Sequence, residues 1–144
     1  MKILLINGPN LNLLGNRERS LYGKISLKEI ISNMEAEAAR NQIEIISFQS
    51  NSEGALIDTI QQKGPACAWI IINAAAFTHT SVAIRDALLA VNKPFLEVHL
   101  SNIYRREQYR HKSYLTDAAQ GIIAGLGAQS YYAALQYIIK REKK

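Results

Sequence analysis

The stretch AWIIINAAAFTHTSVAIRDALLAVNKP, residues 68–94, decides the fold. It opens with a nearly continuous apolar run, Trp69 to Ile72, of the kind that suits a parallel strand covered on both faces. A short polar-edged segment, NAAAFTHTS at residues 73–81, follows. A helical pattern then runs from about Thr80 to Val91 and is ended by Asn92 and Pro94. Strand, loop and helix succeed one another within 27 residues.

Outward from it the same unit repeats. KILLI near the N-terminus is another continuous apolar run, and strands are expected at residues 2–7, 44–50, 68–73 and 94–99, with a weaker one at 121–125. Ser26-Leu27-Lys28-Glu29 has the form of a capping box and opens a helix to about Arg40, with Leu27, Ile30, Ile31, Met34 and Ala38 as its apolar stripe. Further helices are expected at residues 53–63, stopped by Gly64-Pro65, and at 129–140. Strand and helix alternating five times imply a parallel sheet with right-handed crossovers. At 144 residues the expectation is α/β: one domain, a flavodoxin-like three-layer sandwich with a five-stranded parallel sheet in the order 2-1-3-4-5.

Composition excludes several classes. A hydrophobic content of 48% is too high for disorder. No apolar run approaches the roughly 20 residues of a membrane span. The N-terminal apolar run, Ile3 to Ile6, is too short for a signal peptide, so a cytoplasmic protein is expected. With Cys67 the sole cysteine, no disulfide can form within the chain, and its apolar setting reads as that of a buried small hydrophobe. A net charge of +5 favours anionic partners. The basic C-terminal run, residues 140–144, reads as a solvated helix end.

Three unusual segments each follow the carboxyl end of a strand: INGPNLNLLGNRERSLYG (6–23), NAAAFTHTS (73–81) and EVHLSNIYRREQYR (97–110). In a doubly wound sheet they converge at one mouth, where ligands bind. The first is long for a strand-to-helix loop and reads as a lid, with Gly15 and Gly23 as possible hinges around Asn10, Asn12, Arg17, Arg19 and Tyr22. A tyrosine is a poor base at neutral pH, with a pKa of about 10. A nearby guanidinium such as Arg17 favours the phenolate, and a shift of about three units needs about 4 kcal/mol. Glu97 and His99, two residues apart on a strand, share a face, and a histidine held by a carboxylate is a suitable proton donor. His79 lies just before a helix whose cap is Thr78, Thr80 or Ser81, and on that reading it is merely exposed.

Other chemistries fit less well. His79, His99 and His111 lack the spacing of metal ligands, so no metal is expected. GLGAQS, residues 125–130, lacks the third glycine of a dinucleotide loop and follows the last strand; it reads as a tight turn. Lys93 precedes its strand, the wrong end for a Schiff base. A site of Arg, Tyr, His and Asn suggests acid–base work, without a cofactor, on an anionic, hydroxylated substrate through an enolate.

INGPNLNLLGNRE…YG, NAAAFTHTSVAIRDAL, EVHLSN and R-x-x-S-Y-L (110–115) occur in this order across nearly the whole chain, and together they resemble the type II 3-dehydroquinases. The resemblance implies dehydration of 3-dehydroquinate to 3-dehydroshikimate in the shikimate pathway of aromatic amino acid biosynthesis, by a homododecamer built of trimers. It implies that Tyr22 takes a proton beside the ketone, that Arg17 keeps Tyr22 anionic, and that Asn10 helps hold the enolate. His99 would protonate the departing hydroxyl and Glu97 would orient His99. Asn73, His79, Asp86, Arg110 and the backbone of Leu100 and Ser101 would bind substrate, Asp86 in a neighbouring subunit's site; on pattern alone Asp86 reads as a solvated helix residue beside Arg85. The family usually has proline where this chain has Arg19, which bears on the stiffness of the lid, and Arg19 is an alternative cation to Arg17.

Two other readings remain on the residues alone. YRREQYRHK, residues 104–112, interleaves aromatic and basic side chains as nucleic-acid grooves do, although no recognised nucleic-acid motif is present. A flavin carrier shares the fold, but GPNLNLLG lacks the Ser, Thr and Gly of a flavin phosphate loop.

Overall fold

The computed structural model describes residues 1–16 and 24–143. Among them are five strands, β1 (Lys2–Asn7), β2 (Glu44–Gln49), β3 (Trp69–Asn73), β4 (Phe95–His99) and β5 (Gly121–Ala124). The main helices are α1 (Leu27–Arg40), α2 (Glu53–Lys63), α3 (Val82–Val91) and α4 (Gln129–Glu142). All strand pairs are parallel and the sheet order is β2-β1-β3-β4-β5. The α/β, flavodoxin-like architecture is the expected one.

The apolar runs are continuous because both faces of the sheet are covered. Ile3, Leu5 and Ile71 point into one core with α1 and α4. Their neighbours Leu4, Ile6, Ile70 and Ile72 point into the other, with α2 and α3. The two-residue period of a strand thus divides one run between two layers. Cys67 is buried in the second core, as its setting implied, and burial pushes its thiol up.

Side chains set where the helices begin. At α1 the capping box forms: the Ser26 hydroxyl accepts from the Glu29 amide, and the Glu29 carboxylate accepts from the Ser26 amide at 2.8 Å. At α3 the helix starts at Val82, two residues later than expected. Ala75–His79 forms a separate 3-10 turn, and Ser81 caps the helix by accepting from the Ile84 amide at 2.9 Å. The last helix runs two residues past 140, and its end is not simply solvated. Trp69 Nε1 donates to Glu142 at 2.9 Å, and the Arg141 guanidinium lies over the Trp69 ring.

Gly8 locks two strand ends together. Its amide donates to the Asn73 carbonyl at 2.8 Å, and a Cβ there would stand 2.3 Å from the Ala74 oxygen. That close approach fixes how the loop after β1 crosses the loop after β3, and both loops line the site.

Candidate active site

A cavity of about 130 Å³ opens beyond the carboxyl ends of β1, β3 and β4. Asn10 enters it from the first loop, Asn73 and His79 from the second, and His99, Ser101 and Arg110 from the third. The three segments converge as the doubly wound topology requires. Arg17, Arg19, Tyr22 and Gly23, on which the lid reading rests, lie outside the described residues.

His99 and Glu97 are the centre of what is described. Both come from β4, with the alternation that turns Leu96 and Val98 toward the opposite core. His99 Nε2 lies 2.7 Å from Glu97 Oε1. Glu97 has no exposed surface, yet its carboxylate is fully solvated by protein. Thr78 donates to it at 2.9 Å, Ser113 at 2.8 Å and Thr116 at 2.5 Å. Burial pushes this carboxyl up, but the hydrogen bonds from His99, Thr116 and Ser113 outweigh it and hold the group below its ordinary value. Glu97 is therefore a carboxylate that can only accept, so the proton of the shared hydrogen bond sits on His99 Nε2. Nδ1 is left as the ring nitrogen available to the cavity.

His79 faces His99 across the cavity, the two rings nearly parallel with centroids 6.4 Å apart. Its Nδ1 lies 2.8 Å from the Lys112 carbonyl, which can only accept, so Nδ1 carries the hydrogen and Nε2 has the lone pair. Burial lowers its proton affinity, the Lys112 carbonyl opposes this, and the charges of His99 and Arg110 lower it further. His79 is thus a neutral hydrogen-bonding group and not the exposed bystander of the pattern reading; the helix cap beside it is Ser81.

Asn10 sits in the left-handed region, φ 68°, which asparagine tolerates better than most residues, with its amide donating to Asn51 Oδ1 at 2.9 Å. Leu100 and Ser101 continue from β4 into the cavity wall. Arg110 is oriented by Glu107, its Nε donating at 2.8 Å. Arg106 also lines the cavity, with Nη1 3.5 Å from the Ser101 hydroxyl. Asp86 is exposed on α3 and does not line this cavity.

Several contributors were not legible beforehand. Thr78 reaches Glu97 from the segment after β3, and Ser113 and Thr116 reach it from the segment after β4. Asn7 and Tyr131 contact Asn73 from beneath. One signal for that pair was present: the two apolar runs KILLIN and WIIIN both end in asparagine, and Asn7 lies opposite Asn73 in the sheet. No three His, Cys, Asp or Glu side chains among the described residues come together as a metal site. Among the described residues, no helix is long and apolar enough to cross a membrane.

Fold and site together define a flavodoxin-like α/β protein with a carboxylate-held histidine in a cationic cavity at the strand ends. Comparison with known proteins carries this to a family. The profile of the class II dehydroquinases matches residues 1–139. A 3-dehydroquinate dehydratase of Histophilus somni is 59% identical over 143 residues, covering 99% of this chain and 95% of the relative. The crystal structure of a type II dehydroquinase from Butyrivibrio crossotus superposes with a TM-score of 0.92 at 42% identity, over 97% of both chains. That from Propionibacterium acnes gives 0.91 at 35% identity, over 96% of both. The chain belongs to the class II dehydroquinase family.

Proposed function

We propose that residues 1–144 form one catalytic domain that dehydrates 3-dehydroquinate to 3-dehydroshikimate through an enolate, with the cavity at the ends of β1, β3 and β4 as its site. The observation that carries this reading is the His99–Glu97 pair, held by three hydroxyls and open to the cavity at Nδ1. The family supplies the reaction; neither the nucleic-acid nor the flavin reading finds support in the comparisons.

Tyr22, as the phenolate favoured by Arg17, takes the proton beside the ketone, and the electron pair moves onto the ketone oxygen as an enolate. Asn10 helps hold that oxygen. The enolate then reforms the ketone and expels the hydroxyl on the next carbon. His99 gives it a proton from Nδ1 so that it leaves as water, while Glu97 balances the charge of the imidazolium. The product is a carbon–carbon double bond conjugated with the ketone. Asn73 and the lone pair of His79 Nε2 suit the substrate's hydroxyls. Arg110 and the Leu100–Ser101 backbone suit its carboxylate and neighbouring oxygens.

Asp86, exposed on α3, would complete a neighbouring subunit's site in a homododecamer of trimers. We place the enzyme in the cytoplasm and the shikimate pathway, acting without metal or cofactor.

The test is the ultraviolet absorbance of the conjugated enone when chelator-treated protein meets 3-dehydroquinate. Steady absorbance growth is expected; no growth with folded protein would contradict the reading. Borohydride added with substrate should leave the enzyme active, since no lysine lines the described cavity. A reduced adduct on any lysine would replace the enolate with an imine.

A further inference from the structure

Beneath the cavity, where β1 and β3 end, lies a buried polar relay that reaches the cavity through Asn73. Asn7 and Asn73 stand opposite each other in the sheet, and Tyr131, in the first turn of α4, reaches between them. Asn7 and Tyr131 are 0% exposed and Asn73 is 3% exposed.

The donors and acceptors give the relay a direction. The Ala75 amide can only donate, and it meets Asn73 Oδ1 at 3.1 Å. The Asn73 carboxamide is thereby oriented, and its Nδ2 donates to the Tyr131 hydroxyl at 2.8 Å. The Tyr131 hydroxyl donates in turn to Asn7 Oδ1 at 2.7 Å. Burial raises the Tyr131 phenol far above its ordinary value, so it keeps its hydrogen at any working pH. Asn7 Nδ2 is left buried without a hydrogen-bond partner. Turning the Asn7 amide over would pair that nitrogen with the phenol oxygen and strand the phenol hydrogen instead. The arrangement as it stands leaves one buried nitrogen unpaired, and in either one Asn73 still donates to Tyr131.

We propose that Tyr131 is a positioning residue for substrate binding: by accepting one Nδ2 hydrogen of Asn73 it holds that carboxamide in a single orientation, with the second Nδ2 hydrogen committed to an oxygen of the bound hydroxylated substrate. The proposal rests on the reading of Asn73 as a substrate contact. A freely turning carboxamide would present nitrogen and oxygen alternately and would have to be ordered on binding. The fixed one is ordered beforehand. The effect therefore belongs to KM more than to kcat.

Tyr131→Phe keeps the buried ring and removes only the hydroxyl. In the 3-dehydroquinate assay its KM should rise about tenfold, the scale of one neutral hydrogen bond, with a smaller change in kcat. Asn73→Ala should also raise KM, and the double variant should be no worse than Asn73→Ala alone, because Tyr131 acts through Asn73. A merely structural tyrosine would lower Tm in either background without that non-additivity. If Tyr131→Phe does not fold, Asn7→Ala, which removes the acceptor of the phenol hydrogen, should show a smaller KM rise with the same non-additivity. Wild-type KM in the folded variant, or losses that multiply in the double variant, would overturn the inference while leaving Asn73 in its role. Normal kinetics in Asn73→Ala would overturn that role and the inference together, and no turnover by the wild-type protein would overturn the reaction as well.

Discussion

Glu97 shows how a single buried group ties stability to chemistry. Its carboxyl lies below its ordinary value of 4.5 because donors outweigh burial. A depressed carboxyl contributes stability that is complete above the unfolded-state value, here 4.5, and is lost as pH falls through the lower folded-state value. Melting curves taken down through that window should show a steeper fall in Tm for the wild type than for Glu97→Gln, which has no proton to take up. Thr116→Val removes one donor without changing shape and leaves burial less opposed. The Glu97 carboxyl then rises, and the acid limb of the kcat–pH profile should move to higher pH; an unmoved limb would separate Glu97 ionisation from turnover. The Glu97–His99 pair was readable in the sequence because i and i+2 share a strand face. The three hydroxyls were not, since Thr78, Ser113 and Thr116 lie 16 to 19 residues from Glu97. Nor was Tyr131, which bonds a residue 124 positions away. Contacts of that range depend on how elements pack, which no local pattern records.

Among elements, the strands and helices were legible because their apolar periods are strong and their ends carry Gly, Pro or caps. What differed was set by single side chains. Ser81, and not Thr80, accepts from the amide three residues on, so the α3 start moved and residues 75–79 became a turn that carries His79 into the cavity. The α4 end lengthened because Trp69 gives Glu142 a partner. The crossing of the first two site loops was invisible in the sequence, since Gly8 there looks like any loop glycine. Its missing Cβ is what allows contact with Ala74. Gly8→Ala should cost about 1–3 kcal/mol by overpacking and push apart the loops that carry Asn10 and Asn73. Thermal melts and KM together would check this: both should worsen. A variant with wild-type Tm and KM would mean that the crossing is loose.

At the scale of the molecule, Asp86 bears on whether one chain holds a complete site. Asp86 is exposed on α3 and outside the described cavity of its own chain, so the binding role proposed for it places it in another subunit's site. Asp86→Ala should fold and lose activity, and so should Tyr22→Phe. Dissociating and reassembling the two together should restore some sites, because the proposed closed symmetric assembly would bring the intact halves into register. Mixtures no more active than the separate variants would assign Asp86 to its own chain or to structure alone. His99, held by Glu97, is the proposed proton donor of the dehydration. The most direct measurement is the rate of enone absorbance from 3-dehydroquinate for wild type and His99→Ala, with circular dichroism to confirm the fold. Wild-type turnover and a loss of about 10²–10⁴-fold in the variant are expected, the contribution of a positioned proton donor. A folded His99→Ala protein turning over at the wild-type rate would contradict that role.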